Sequence, residues 1–201
     1  MLIVFDGIDG VGKTTQLELV KAELEKEGLK IETRRNLGGT TIGEALRDVM
    51  LSNVERPKNT NLYISAAIQE ALIEDVTTQL KAGTVILMDR GPLSLATYEM
   101  YGSGVDAELI WPHVERGMKA LAPDITLIYE TDIGTALQRA RQRSGKADYF
   151  ESKPLEYFEK VARGYHQCAE RFTGVSFIDA NRAIEAIHAD TMAALRPLLD
   201  K

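Results

Sequence analysis

The run Gly7-Ile8-Asp9-Gly10-Val11-Gly12-Lys13-Thr14 places a glycine, four residues, a second glycine, a lysine and a threonine in a row. This is the spacing of a P-loop. Glycines let backbone N–H groups turn inward around phosphate oxygens, and the helix that follows adds the positive end of its dipole. Lys13 is then expected to reach β- and γ-phosphates, the backbone from Gly7 to Thr15 to cradle them, and the Thr14 hydroxyl to hold Mg²⁺. A second oxygen donor comes from Val85-Ile86-Leu87-Met88-Asp89, an apolar run that ends in an acid. An Asp at the carboxyl end of a central strand shares an edge with the phosphate loop, so Asp89 is a candidate metal ligand, directly or through water.

The elements that must position these groups are legible as alternating periods. Leu2 to Phe5, Lys30 to Arg34, Thr84 to Met88, Asp124 to Tyr129 and Val175 to Ile178 read as buried strands. Between them lie longer segments of helical period, so the expected class is α/β: a parallel five-stranded sheet between layers of helices. Leu17, Val20 and Leu24 share one face of a helix from Lys13, which Gly28 stops. A second helix, from Thr41, carries Ile42, Ala45, Leu46, Val49 and Met50 at core spacing, with Arg47 pointing elsewhere. Asn61 to Lys81 is apolar on several sides, through Ile64, Ile68, Leu72 and Val76, and reads as a buried helix. Further helices are expected after Pro92, and over Asp106 to Leu121, Asp132 to Arg143, Pro154 to Phe172 and Asn181 to Leu199. No repeat or long linker divides the 201 residues, so one domain is expected. The irregular stretch from Ser144 to Lys153 is the candidate lid.

Composition bounds the partners. An apolar fraction of 44% supports a sizeable core, and no apolar run is long enough to span a bilayer. The 24 Lys and Arg against 30 Asp and Glu leave a net charge of −6, which argues against a nucleic-acid polymer or an anionic membrane as partner. Positive charge for an anionic ligand must therefore be local. Cys168 is the sole cysteine and Leu2 to Phe5 is too short for a signal peptide, which together suggest a cytoplasmic protein. His113, His166 and His188 lack ligand spacing, and Trp111 reads as structural.

The stretch Phe5 to Gln16 resembles the P-loop of the thymidylate kinase family of nucleoside monophosphate kinases, with an acidic residue inside the loop. Gly38-Gly39-Thr40 with Gly43-Glu44 and Arg47 resembles that family's second motif. Asp89-Arg90 with Ser94 resembles its third, and Phe158 to Tyr165 its late helix. The resemblance implies a P-loop kinase fold with a short lid, and transfer of the γ-phosphate of ATP to a deoxynucleoside monophosphate, usually dTMP, with Mg²⁺ as cofactor. It also implies a homodimer. Carried to matching positions, Arg47 and Arg90 grip the acceptor phosphate, and Ser94 and Tyr98 line its pocket. Asp9 holds the sugar hydroxyl or assists the metal. Arg139, Arg141, Arg143 and Lys146 form a basic cluster at the lid; because the loop residue after Gly10 is Val11, the lid must supply the catalytic arginine, with Arg143 and Arg139 the candidates.

The departures from the family gather where the base is read. The stacking phenylalanine is replaced by Ile64 and the base-contacting arginine a turn later by Ile68. Gly91 follows Asp-Arg in place of Tyr, Glu99 follows Tyr98 in place of Gln, and Asn36 stands where the family carries an acid. Selectivity for dTMP is thus expected to be relaxed, or rebuilt with Tyr63, Gln69 or Glu99, because lost hydrogen bonds to a base edge are the main source of discrimination. The rival readings are a kinase for another monophosphate or a nucleoside, and a P-loop ATPase switch. Retention of both acceptor arginines favours a phosphorylated acceptor, and the Asn-Lys-x-Asp box of many GTPase switches is absent.

Overall fold

The computed structural model describes residues 1–144 and 148–199. Five parallel strands, β1 (Leu2–Asp6), β2 (Ile31–Arg35), β3 (Val85–Asp89), β4 (Ile125–Glu130) and β5 (Val175–Asp179), form one sheet in the order β2-β3-β1-β4-β5. Each expected strand is present within a residue or two of its expected ends. The helices are α1 (Lys13–Lys26), α2 (Thr41–Leu51), α3 (Lys58–Lys81), α4 (Pro92–Leu95), α5 (Ala107–Leu121), α6 (Ile133–Ser144), α7 (Leu155–Ala169) and α8 (Ile184–Leu199). A π-helical turn, Ala96–Gly102, continues directly from α4.

Alternation along the strands builds the two helical layers. Ile3 and Phe5 of β1 and Leu87 of β3 cluster with Leu17, Val20 and Leu24 of α1 and with Ile187 and Leu195 of α8. Leu2 and Val4 point the other way and, with Ile86 and Met88, meet Ile68, Leu72 and Val76 of α3 and Leu121 of α5. Each such side chain, fully buried, contributes on the order of 1.5–3 kcal/mol. The central strand β1 is thereby locked between β3 and β4, with Phe5 in register with Asp89 and Leu127. Its carboxyl end opens at the crevice where ligands of open α/β sheets bind. No helix among the described residues is long and apolar enough to cross a membrane.

One expectation for the helices is corrected. On α2 only Gly43 and Met50 are buried, whereas Ile42 and Val49 are 57% and 51% exposed. The helix packs mainly along one edge of α3, so its core stripe is narrower than its apolar spacing suggests. On α3, Ile68 lies wholly in the core and Ile64 packs partly buried against it. Ser65 and Gln69, one position further along, form the wall of a cavity instead.

Candidate active site

The loop from Gly7 to Gly12 joins β1 to α1 and delivers an uncapped helix end. Gly12 sits at φ 100°, and no side chain caps the first turn of α1. Its free N–H groups and helix dipole are thus available to an anion. Gly10, at φ 82°, passes so close to α6 that a Cβ would collide with the Ala136 carbonyl. Val11, expected to face ATP, is instead packed into the core beneath the loop and lines neither cavity.

Lys13 is buried, and its Nζ donates to the Ile8 carbonyl at 2.9 Å. Burial and the charge of Arg90 push its pKa down to about 8, while Asp9, Asp89 and Asp6 pull it back up. The ammonium is held in place with little solvation, and a polyphosphate would supply the missing counter-charge. One residue on, the Thr14 hydroxyl donates to Asp89 Oδ2 at 3.0 Å. A hydroxyl and a carboxylate side by side at a phosphate loop are hard oxygen donors that suit Mg²⁺, which is usually held by one or two protein oxygens plus phosphates and water.

Arg90 is placed by backbone and side chain together. It stands at φ 67°, with its N–H bonded to the Phe5 carbonyl at 2.8 Å. Its guanidinium reaches Asp9 Oδ1 at 2.6 Å and the Gly7 carbonyl at 3.1 Å, and lies over the Tyr98 ring at 4.8 Å. Burial lowers the pKa of this arginine, but Asp9, Tyr98, Tyr165 and Asp6 together hold it well above its ordinary value. Arg90 is therefore a permanent cation. Below it, Asp6 is fully buried and accepts from Ser94 Oγ and Tyr165 Oη, each at 2.6 Å, and from the Gly91 N–H at 3.1 Å. Arg47 donates to the Leu37 carbonyl at 2.7 Å; its pKa is lowered by burial and by Arg35.

Two cavities meet at these groups. The first is lined by the phosphate loop with Lys13, Thr14, Thr15 and Asp89. The second runs past Ser94 and Tyr98 to Ser65, Gln69, Glu99 and Phe150. Asp9, Asn36, Arg47 and Arg90 line both. One anion at the phosphate loop and another beyond Arg90 would thus face each other across shared positive charge.

The family model described as thymidylate kinase matches residues 5–191. The chain belongs to the thymidylate kinase family. It is thereby an ATP-dependent kinase of nucleoside monophosphate type. The thymidylate kinase of Pelotomaculum thermopropionicum is 32% identical over 202 residues, covering 98% of this chain and 94% of that one. That of Halothermothrix orenii is 31% identical, covering 100% and 99%. A crystal structure of thymidylate kinase from Ehrlichia chaffeensis aligns with TM-score 0.78 at 24% identity over 98% of both chains, which establishes the shared fold.

Within this family member, most residues expected from the sequence converge on the two cavities, but not all. Ile64 and Ile68 do not line the acceptor cavity; Ser65 and Gln69 take that wall, because the cavity lies one residue's rotation away from the core stripe of α3. Tyr63 is 56% exposed, with its ring edge-on to His113. Arg139 is exposed and lines neither cavity. The side chains of Arg143 and Ser144, and all of residues 145–147, including Lys146, lie outside the described residues. The rest of the expected lid is docked on the acceptor side: the Tyr149 N–H donates to the Leu51 carbonyl at 3.2 Å, Arg56 lies over the Tyr149 ring at 4.3 Å, and Phe150 is buried in the cavity wall.

Sequence reasoning missed Asp6 and Ser65. Asp6 is read from sequence only as the acid that ends an apolar strand, and the tyrosine that bonds it arrives 159 residues later. Ser65 carries no charge and follows a more conspicuous isoleucine. Nothing in its spacing marks the cavity side.

Proposed function

We propose that this protein transfers the γ-phosphate of ATP to a deoxynucleoside monophosphate, with dTMP the acceptor its family implies, giving ADP and the nucleoside diphosphate. One observation carries the reading: a phosphate-loop cleft and a second cavity share Asp9, Asn36, Arg47 and Arg90 as a common wall. ATP phosphates belong in the first and the acceptor nucleoside in the second. Thr14 and Asp89 would hold Mg²⁺, which neutralises phosphate charge when bound.

The chain's own groups then do the positioning. Lys13 and the free N–H groups of α1 fix the β- and γ-phosphates. Arg47 and Arg90 hold the acceptor phosphate, and Asp9 orients Arg90 or receives the sugar hydroxyl. A phosphate monoester has a second pKa of about 6 and is mostly dianionic at neutral pH, so its attacking oxygen needs no general base. In-line placement and charge neutralisation supply the catalysis. A lid over 144–153, with Arg143 or Arg139, closes on the transferring phosphate. The chain acts as one domain in the cytoplasm, as its sequence pattern and single cysteine suggest, and as a homodimer, as the family resemblance suggests. The test is ADP formation from ATP and Mg²⁺ with each monophosphate in turn; turnover that requires an acceptor supports the kinase, and acceptor-independent turnover stimulated by a protein favours the ATPase switch.

A further inference from the structure

Glu99, on the π-helical turn, is a buried acid that phosphate transfer does not use. It is 1% exposed, lines the acceptor cavity, and its Oε2 has no hydrogen-bond partner among the described residues. An orphaned carboxylate oxygen is costly to bury, which makes it a place where a ligand hydrogen bond is expected. The charges that act on Glu99 come from Arg56 and Lys153, with a hydrogen bond from Ser103, and Tyr157 faces it from α7. Arg47 and Arg90, which line the same cavity and also the phosphate-loop cleft, are not among them. A monophosphate gripped by those two arginines extends its base toward Glu99.

Of the polar groups at that end, Ser65 offers a hydroxyl that donates or accepts, and the others mostly accept. Gln69 spends its Nε2 on the His113 carbonyl at 2.8 Å, and its Oε1 is left without a partner. Arg56 spends Nε on Asn61 Oδ1 at 2.6 Å and its terminal nitrogens on the carbonyls of Met50, Ser52 and Val54. The Lys153 ammonium sits over the Tyr149 ring at 3.9 Å. Leu95 and Phe150 add apolar walls. None of these cations lines the cavity to donate to a base oxygen.

We propose that Glu99 reads the acceptor base through its orphaned oxygen and selects an exocyclic amino group, as in cytosine and adenine, over the exocyclic oxygen of thymine. This deepens the kinase reading and rests on it. An ionised carboxylate can only accept, so at the exocyclic position it takes the amino N–H of cytosine or adenine and repels the oxygen that thymine carries there, leaving thymine only its ring N–H to offer. A protonated carboxyl both donates and accepts, and pairs with either exocyclic group. Burial pushes Glu99 up to about 7, against the opposing pull of Ser103, Arg56 and Lys153. Selectivity for the exocyclic amino group therefore grows as pH rises through neutrality.

The experiment measures kcat/KM for dCMP, dAMP and dTMP with ATP and Mg²⁺ at pH 6 and pH 8, for the wild-type chain and Glu99→Gln. At pH 8 the wild type is expected to prefer dCMP or dAMP over dTMP by at least about tenfold, and the preference narrows at pH 6. Whether dCMP or dAMP carries it decides between a one-ring and a two-ring base. Glu99→Gln, whose amide can donate to the thymine oxygen, is expected to lose most of the preference at pH 8. The proposal is overturned by a preference for dTMP at pH 8, or by a ratio that Glu99→Gln leaves unchanged. A dTMP preference sinks it while the kinase reading stands, whereas no turnover with any acceptor sinks both. The wild-type pH series needs no variant, so it decides the matter even if Glu99→Gln fails to fold.

Discussion

Replacing Lys13 by Met removes a buried cation that the folded chain holds at a cost. The fall in its pKa from 10.5 to about 8 corresponds to ~3 kcal/mol, at about 1.4 kcal/mol per pH unit. Loss of the hydrogen bond to the Ile8 carbonyl returns roughly 1 kcal/mol, so Lys13→Met should stabilise the nucleotide-free protein by ~2 kcal/mol at pH 7. For a chain of this length, 1 kcal/mol moves Tm by roughly 2–4 °C, so an increase of roughly 4–8 °C is expected. A depressed lysine pKa means that the unfolded chain binds the proton more tightly than the folded one. The penalty is thus complete below pH 8 and fades as pH rises toward 10.5. Thermal unfolding of both proteins from pH 7 to pH 10 reads this directly. In the same variant, acceptor-dependent turnover should fall by at least about a hundredfold, since a transition-state charge partner is lost. A Tm at or below wild type at pH 7, or a gap that does not narrow by pH 10, would refute the strained-cation account of the phosphate loop.

Three further outcomes follow from the geometry. Arg47→Ala should raise KM for the monophosphate at least about tenfold while leaving ATP binding nearly intact, as measured by steady-state kinetics and nucleotide titration; an isolated loss of ATP binding would contradict its place on the acceptor side. Gly10→Ala should impair nucleotide binding and lower Tm, because its Cβ meets the Ala136 carbonyl of α6 at a left-handed position; wild-type ATP affinity and Tm would remove that contact from the account. Tyr165→Phe leaves Asp6 without one of its donors and should cost ~1–3 kcal/mol by urea unfolding; a change under ~0.5 kcal/mol would mean that the bond contributes little.

The strands, the phosphate loop and the acid that ends β3 are legible because each is local: an apolar run, a glycine spacing, an acid at a strand end; the contact of Thr14 with Asp89 across 75 residues is not. Arg47 and Arg90 were legible through motifs that span a few residues. What escaped was set by tertiary context. Ile64 and Ile68 have the apolar spacing of a buried face, but α3 lies between core and cavity, and the cavity takes Ser65 and Gln69 from the adjoining face. On α2 the same spacing overstates burial, since Ile42 and Val49 find no layer above them. The π-helical turn that carries Tyr98 and Glu99 has no sequence signature of its own, and Asp6 acquires its partners only when α4 and α7 close over it.

The central claim is that two phosphate sites meet across Arg47, Arg90 and Asp9. ADP formation in the presence of ATP and Mg²⁺, with and without dTMP, dCMP and dAMP, tests it most directly. Turnover that rises at least about a hundredfold on adding one of these acceptors, with the nucleoside diphosphate formed in equal amount to ADP, is the expected result. ATP hydrolysis at the same rate with no acceptor present, or no diphosphate product from any of the three, would contradict it.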